Sequence, residues 1–205
     1  MAPSSRIPTD SAHRFPWYAR LFFANQRRRY GSELEPARLW ARTPKVFAAL
    51  SLLYAALDRR RSPIEAALRS LLTVRVSQIN WCAFCVDINS ATGMARGVSA
   101  EQLAALDDCA ASPLFDERQK AALAYAEAMT RSDLRVDDAL MERLKARFDD
   151  DSIIELTALI AFQNMSSKFN AALDVAPQGF CKSPANSPPG RQMLEQPKQR
   201  AEREK

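Results

Sequence analysis

Two cysteines three positions apart are the most chemically suggestive feature of this chain. Only two residues separate Cys82 from Cys85. A helical apolar pattern over residues 64–79 precedes the pair, and a second helical run over residues 83–96 follows it. The pair is therefore predicted to lie where a helix begins. The first turn of a helix presents unpaired N–H groups and the positive end of the helix dipole, and both favour the reactive thiolate over the thiol.

Three roles fit two cysteines at this spacing: thiol redox chemistry, half of a zinc site, or small apolar core residues without chemistry. Zinc sites usually take four ligands as two pairs, but Cys109 and Cys181 each stand alone. The single histidine, His13, lies far from the pair in the N-terminal stretch. No metal, cofactor or Cys–His dyad is therefore expected. Redox chemistry is favoured, and the core role stays open as an alternative.

Composition places the chain among soluble intracellular proteins. Hydrophobic residues make up 47% of it, yet no apolar run reaches the roughly 18 residues that span a bilayer. The first ten residues contain no apolar stretch of the secretory type. Four cysteines in 205 residues are too few for a disulfide scaffold. We expect a cytoplasmic protein with no membrane partner.

The positive charge is concentrated at one end of the chain. The net charge is +5 overall, and residues 1–61 alone carry +8. Such an end could suit nucleic acid. However, the arginine triplets at 27–29 and 59–61 each close a helical run, where cations interact favourably with the helix dipole. No nucleic-acid partner is expected.

Periodicity predicts an all-α protein. Apolar residues recur at helical spacing, and no segment alternates in the manner of a strand. We predict a single all-helical domain over residues 14–182, with disordered segments at residues 1–13 and 183–205. The last helix, beginning near residue 152, is apolar nearly all round, so it is predicted to be central or to lie in a subunit interface.

Several helix starts carry capping signals. In a capping box, a first side chain accepts from the third helical N–H, and a Glu or Gln three residues later bonds back. Predicted pairs are Ser62 with Glu65, Ser99 with Gln102, Asp116 with Gln119, and Ser152 with Glu155; Asp137 is a predicted cap without a partner. These signals divide the chain into short helices around the cysteine pair.

The segment around the cysteines resembles a known family motif. Residues 75–91 read RVSQINWCAFCVDINSA. They resemble the core motif of the carboxymuconolactone decarboxylase / alkylhydroperoxidase D-like family, typically Arg-x-Ser-Gln-x-Asn-Gly-Cys-x-Tyr-Cys-x-Asp-x-His-Ser/Thr-Ala. The resemblance extends over about residues 44–175. It implies an alkylhydroperoxidase D-like helical bundle that assembles into homo-trimers or homo-hexamers.

The resemblance also implies an activity. In the peroxidase branch of this family, peroxide oxidises the second cysteine of the pair to a sulfenic acid, and the first cysteine resolves it as a disulfide. Carried over, Cys85 is peroxidatic and Cys82 is resolving. The implied function is an alkylhydroperoxidase-like thiol redox protein. Its substrate is a peroxide or a partner disulfide, and its electrons come from a thiol reductant.

The chain departs from the family at the proton relay. The family histidine is replaced by Asn89 and the family glutamate by Ser70, and neither residue is an effective base. An ordinary thiol has a pKa of about 8.5, so activation must come from the helix terminus, Arg75 or another residue. Asp87 is expected to cap backbone or to pair with an arginine. The alternative is a family member with weak or no peroxidase activity, acting as a helical oligomeric ligand-binding or interaction protein.

Overall fold

A computed structural model describes residues 5–9 and 13–181, and within them every regular element is a helix. The helices are α1 (Trp17–Tyr30), α2 (Glu35–Trp40), α3 (Pro44–Leu57), α4 (Ala66–Ile79), α5 (Ala83–Ala95), α6 (Ala100–Ala104), α7 (Glu117–Thr130), α8 (Asp138–Lys145) and α9 (Asp150–Ala172). A 3₁₀ helix (Leu106–Asp108) connects α6 to α7. The all-α prediction is confirmed. None of the described helices has both the length and the apolar character needed to cross a membrane.

Helix α4 forms the centre of the main core. Nine of its fourteen residues are buried, and it packs against α5, α7 and α9. Its fully buried Leu72 and Val76 share one apolar cluster with Leu123 of α7 and Ile160 of α9. Burying a side chain of this size stabilises the fold by roughly 1.5–3 kcal/mol. This packing fixes the C-terminal end of α4, from which the cysteine pair follows directly.

Helices α1 to α3 form a smaller apolar layer beside α9. Phe23 and Phe47 are buried there, and the ring of Phe22 packs edge-on against Phe47 with centroids 5.0 Å apart. Trp40 at the end of α2 stacks on Phe169 of α9, with ring centroids 3.6 Å apart. Stacked aromatic pairs are worth about 0.5–1.5 kcal/mol beyond their burial. This layer supplies one wall of the cavity described below.

Three of the predicted helix starts are confirmed as caps. The Ser99–Gln102 and Asp116–Gln119 pairs both form reciprocal capping boxes, at α6 and α7. Asp137 accepts a hydrogen bond from the backbone N–H of Leu140 and caps α8. The local signals are sufficient at these positions.

The boxes predicted at Ser62–Glu65 and Ser152–Glu155 are not formed. Helix α4 begins after Glu65 without a side-chain cap, and α9 begins earlier than predicted, with Asp149 accepting from the N–H of Ser152 at 2.7 Å. The hydroxyl of Ser62 instead donates to Glu155 at 2.6 Å. One residue from each predicted box therefore bonds to the other, because α9 packs against the start of α4.

The predicted disordered N-terminus lies partly outside the described residues. Where it is described, it contacts the body of the protein. The backbone N–H of Arg6 donates to the carbonyl of Leu173 at 2.8 Å, and Arg38 donates to the carbonyl of Thr9 at 2.8 Å. These contacts join residues 5–9 to the body of the protein, and disorder over residues 1–13 stays a prediction. The predicted tail at 183–205 lies outside the described residues and stays a prediction.

Candidate active site

The cysteine pair follows a sharp reversal at the end of α4. The N–H of Cys82 donates to the carbonyl of Ser77 at 3.0 Å, and that of Trp81 to Gln78 at 3.1 Å. This 6→1 and 5→2 pattern is the Schellman motif, which requires a left-handed residue between the two helices. Trp81 takes that position with φ 57°. Helix α5 begins at once, with Cys82 as its N-cap and Cys85 in its first turn, so the predicted location is confirmed.

Trp81 occupies a backbone conformation that suits glycine. A non-glycine residue in the left-handed region costs about 1–2 kcal/mol, and this side chain is 58% exposed, so its ring gains little by packing. We expect Trp81→Gly to be about 1 kcal/mol more stable than Trp81→Ala, because both lose the ring but only glycine adopts this φ freely. Urea unfolding of the two variants measures the difference. Equal stabilities would contradict it.

Each sulfur of the pair has one N–H donor. Cys82 and Cys85 form a disulfide, with their Cα atoms 5.2 Å apart and only 1% and 3% of their surfaces exposed. The backbone N–H of Cys85 donates to Cys82 Sγ at 3.2 Å, and Asn170 Nδ2 donates to Cys85 Sγ at 3.2 Å. Donors of this kind at a helix start stabilise a thiolate once the pair is reduced.

Asn170 is a site residue that the sequence predictions missed. It lies on α9, and 2% of its surface is exposed. The available signal was a stripe of polar side chains at helical spacing, formed by Gln163, Ser167 and Asn170. Ser167 accepts from the amide of Asn80 at 2.9 Å, and Gln163 donates to Ser77 at 2.9 Å. The stripe thus anchors α9 to the end of α4 and to the cysteines.

A cavity of about 200 Å³ lies beside the pair, between α1, α2, α3, α5 and α9. Cys85 lines it, and Cys82 does not. Seven of its lining residues are aromatic, with Phe22, Phe84 and Phe162 among them. None of the described lining residues is a carboxylate, lysine, arginine or histidine. A small apolar molecule in this cavity would therefore meet the sulfur of Cys85.

The two positions that carry the proton relay in the family lie near each other but hold no base. Asn89 lines the cavity, and its amide donates to Ser77 at 3.3 Å. Ser70 is buried, donates to the carbonyl of Ala66 at 3.1 Å, and accepts from Arg96 at 3.4 Å. Asn89 and Ser70 both border a small space that adjoins the cavity. The substitutions therefore replace an acid–base pair by neutral hydrogen-bonding groups.

Arg75 does not reach the sulfurs. Its guanidinium binds Glu127 of α7 at 2.6 Å and Asp107 of the 3₁₀ helix at 2.5 Å. The sulfurs contact α5 and α9 instead. The hypothesis that Arg75 activates a thiol is therefore unsupported, because α7 covers its side of α4 and neutralises its charge.

Asp87 holds the C-terminal strap, which we define as residues 175–181. Its carboxylate accepts hydrogen bonds from four successive backbone N–H groups, at 2.7–3.1 Å. The expectation that Asp87 caps backbone agrees with this geometry. Val175 and Phe180 of the strap pack in the same apolar cluster as the cysteines. The strap therefore helps to keep both sulfurs from solvent.

Loss of the Asp87 charge should loosen the strap. Asp87→Asn leaves one acceptor oxygen and turns an NH₂ group toward backbone donors, and hydrogen bonds to a charged group are worth about 1.5–3 kcal/mol. We expect the free energy of unfolding to fall by about 2–3 kcal/mol and Cys181 to be alkylated faster. Asp174→Asn, an exposed carboxylate just before the strap, is the matched control. Equal behaviour of the two variants would contradict a clamp at Asp87.

Comparison with known proteins adds a family to this geometry. The carboxymuconolactone decarboxylase family model matches residues 44–128. The uncharacterized protein YnjA of Escherichia coli (strain K12) is 45% identical over 158 residues, which cover 77% of this chain and 87% of YnjA. The family model spans the cysteine pair, and the match to YnjA extends over most of the chain.

Solved structures share the fold. An uncharacterized peroxidase-related protein from Silicibacter sp. TM1040 superposes with a TM-score of 0.77 at 22% identity, covering 87% of this chain and 95% of that one. The debrominase Bmp8 superposes with a TM-score of 0.70 at 21% identity, covering 80% and 88%. At these identities the likeness shows the helical architecture alone. The family match, the identity with YnjA and the shared fold agree. The chain belongs to the carboxymuconolactone decarboxylase family.

Proposed function

We propose that this protein is a thiol redox enzyme that reduces hydroperoxides, with Cys85 as the peroxidatic cysteine and Cys82 as the resolving one. The observation that carries the proposal is the asymmetry of the pair. Cys85 lines the apolar cavity, whereas Cys82 lies within disulfide distance but outside the cavity lining. A small substrate in the cavity therefore contacts the sulfur of Cys85, and the sulfur of Cys82 lies next to it.

The reaction balances without a cofactor. The Cys85 thiolate attacks the terminal oxygen of a hydroperoxide; the S–O bond forms, the O–O bond breaks, and the alcohol leaves after taking a proton. The Cys82 thiol then attacks the sulfur of Cys85, so that the S–S bond forms and water leaves. A dithiol reductant afterwards returns both cysteines to thiols by exchange.

Burial of the pair favours a small substrate over a partner disulfide. The sulfurs of Cys82 and Cys85 are almost fully enclosed, and the C-terminal strap packs beside them. Thiol–disulfide exchange requires the attacking sulfur to reach its target directly. A hydroperoxide needs only the cavity, whereas a partner protein also needs the strap to move. The reductant faces the same barrier, which makes re-reduction the slower half of the cycle.

The second candidate is a helical ligand-binding protein with weak or no peroxidase activity. Two observations favour it: the aromatic walls of the cavity, and the absence of a base at Asn89 and Ser70. Pockets of this kind, apolar with a few polar groups, commonly hold small molecules. In this case the cysteine disulfide would serve as a structural part of the cavity wall.

Steady-state consumption of an organic hydroperoxide with a dithiol reductant separates the two candidates. We expect the wild type to turn over and Cys82→Ser and Cys85→Ser each to lose turnover. Cys109→Ser, a buried cysteine in the main core, is the control and should retain it. A wild type that consumes no hydroperoxide would reject the enzymatic proposal and leave the ligand-binding one.

We also propose that the subunits form a homo-trimer or homo-hexamer. Large apolar side chains are exposed on four of the described helices, including Trp17 (75%), Leu52 (74%) and Ile154 (68%). Apolar surface of this kind on a protein usually marks an interface. Sedimentation at micromolar concentration is expected to give three or six times the 22.9 kDa chain mass. A monomer would contradict the proposal.

A further inference from the structure

The proposed reaction leaves one proton unassigned, and the following inference rests on that proposed function. When the O–O bond breaks, the alcohol departs as an alkoxide unless a group donates a proton to it. Neither Asn89 nor Ser70 is an acid, and the described cavity lining contains no carboxyl group or histidine. The Cys82 thiol lies outside the cavity lining, so the hydroxyl groups that line the cavity are the candidate donors to a substrate bound there.

Five hydroxyl groups line the cavity, those of Tyr30, Ser51, Tyr54, Thr92 and Ser166. Those of Ser51 and Thr92 donate to carbonyls one turn earlier in their own helices, at 2.8 and 2.9 Å, so they are already engaged. Of the five, the hydroxyl of Tyr54 is the one that contacts a charged side chain, the carboxylate of Asp58, at 3.5 Å. Such a long contact orients the hydroxyl but leaves it free to donate to a closer acceptor.

Asp58 is fixed by two arginines. Arg96, which follows the end of α5, pairs with one carboxylate oxygen at 2.6 Å, and Arg69 of α4 with the other at 3.6 Å. The Tyr54 ring packs at a tilt against Phe162, with centroids 5.9 Å apart. Tyr54 lines two spaces: the cavity that Cys85 also lines, and the small adjoining space that Asp58 lines. It therefore lies between the cavity that Cys85 lines and a partly buried group of charges, Asp58, Arg69 and Arg96.

We propose that Tyr54 donates the proton to the leaving oxygen of a hydroperoxide bound in the cavity. The O–H bond of Tyr54 breaks as the alkoxide becomes an alcohol. The resulting phenolate then regains from solvent the proton that the Cys85 thiol released on ionisation. No further oxidant or reductant is needed. Tyr54 thus serves as the acid of a site that lacks the family's relay, and Asp58 positions it.

The acidity of the phenol suits this task. Tyr54 is 52% exposed. Partial desolvation of its phenol and the negative charge of Asp58 raise the pKa of Tyr54 to about 12. The phenol therefore stays protonated at neutral pH. It is still more acidic than water, whose pKa is about 15.7. An alkoxide is about as strong a base as hydroxide, the conjugate base of water. Proton transfer to the leaving oxygen is downhill.

Leaving-group chemistry tests the proposal. In reduced protein, Tyr54→Phe keeps the ring and removes only the hydroxyl. The second-order rate of Cys85 oxidation by tert-butyl hydroperoxide should fall about 10²-fold, the lower end of the range for general acid catalysis. Peracetic acid releases a carboxylate, a weak base that needs no proton. Its rate should change by less than about threefold, because its reaction requires no general acid.

The controls separate this inference from the proposed function. Tyr18→Phe makes the same chemical change at a tyrosine of α1 outside the cavity lining and should leave both rates unchanged. If Tyr54→Phe slows both oxidants equally, Tyr54 acts through packing and the inference is wrong; if it slows neither, it is wrong as well. A wild type whose Cys85 resists both oxidants would instead reject the proposed function, and this inference with it.

Discussion

Replacing Cys85 with serine is expected to abolish the reaction of this protein with organic hydroperoxides, whereas replacing Cys82 should leave the first oxidation intact. Cys85 is the sulfur that lines the cavity, so only its thiolate can meet a bound substrate. In Cys82→Ser the sulfenic acid on Cys85 has no neighbouring thiol to resolve it. It should accumulate and be trapped by dimedone, with the adduct located at Cys85 by peptide mass spectrometry.

The reversed result would exchange the roles of the two cysteines. A dimedone adduct on Cys82 in Cys85→Ser, with none in Cys82→Ser, would show that the N-cap sulfur reacts first. Its hydrogen bond from the N–H of Cys85 would then matter more than access from the cavity. Cys181→Ser, a change of the same kind in the strap, serves as the control and should react as the wild type does.

Asn89→His is expected to accelerate the oxidation of Cys85 by about 10²-fold at neutral pH, because it introduces a general base into the cavity. Asn89 already lines the cavity with Cys85, so an imidazole there can accept the thiol proton. The base is the neutral imidazole, present above its ordinary pKa of about 6.5. The gain should therefore be full above that pH and disappear as the pH falls below it. Stopped-flow rates between pH 5 and 8 measure it.

Adding Ser70→Glu should give little beyond the single change. The Arg96 guanidinium already reaches the Ser70 hydroxyl at 3.4 Å, so a carboxylate at this position would pair with Arg96 rather than act on the imidazole. Thr92→His is the matched control, because Thr92 lines the same cavity about one helical turn further along α5. Equal gains from Asn89→His and Thr92→His would show that position 89 holds no special geometry.

Local features of the fold could be predicted from the sequence, and tertiary partners could not. The capping box of Asp116 and Gln119 forms because its donors and acceptors lie within one turn. The equally good signal at Ser62 and Glu65 fails, because Glu155 arrives from a distant helix and binds the Ser62 hydroxyl. A capping box contributes only about 1 kcal/mol, so one tertiary hydrogen bond to a carboxylate is enough to override it.

The candidate site shows the same division. The cysteine pair at a helix start follows from the motif and from helical periodicity. Asn170 and Tyr54, by contrast, come from α9 and α3, and only the packing of these helices brings Asn170 to Cys85 and Tyr54 to the cavity that Cys85 lines. Arg75, one of the activators considered, is close to the pair in sequence, but Glu127 and Asp107 bind its charge. These partners could not be predicted, because the position of α7 depends on tertiary packing.

Thiol mapping after one turnover tests the redox role of the pair most directly. Fully reduced wild-type protein is mixed with one equivalent of an organic hydroperoxide, and each of the four cysteines is scored by alkylation and mass spectrometry. Burial raises the pKa of the Cys109 thiol, which keeps it protonated and unreactive. We predict that the thiols of Cys82 and Cys85 disappear together while the side chains of Cys109 and Cys181 stay in the thiol form. Survival of all four thiols, or loss confined to Cys109 and Cys181, would contradict a redox function for the pair.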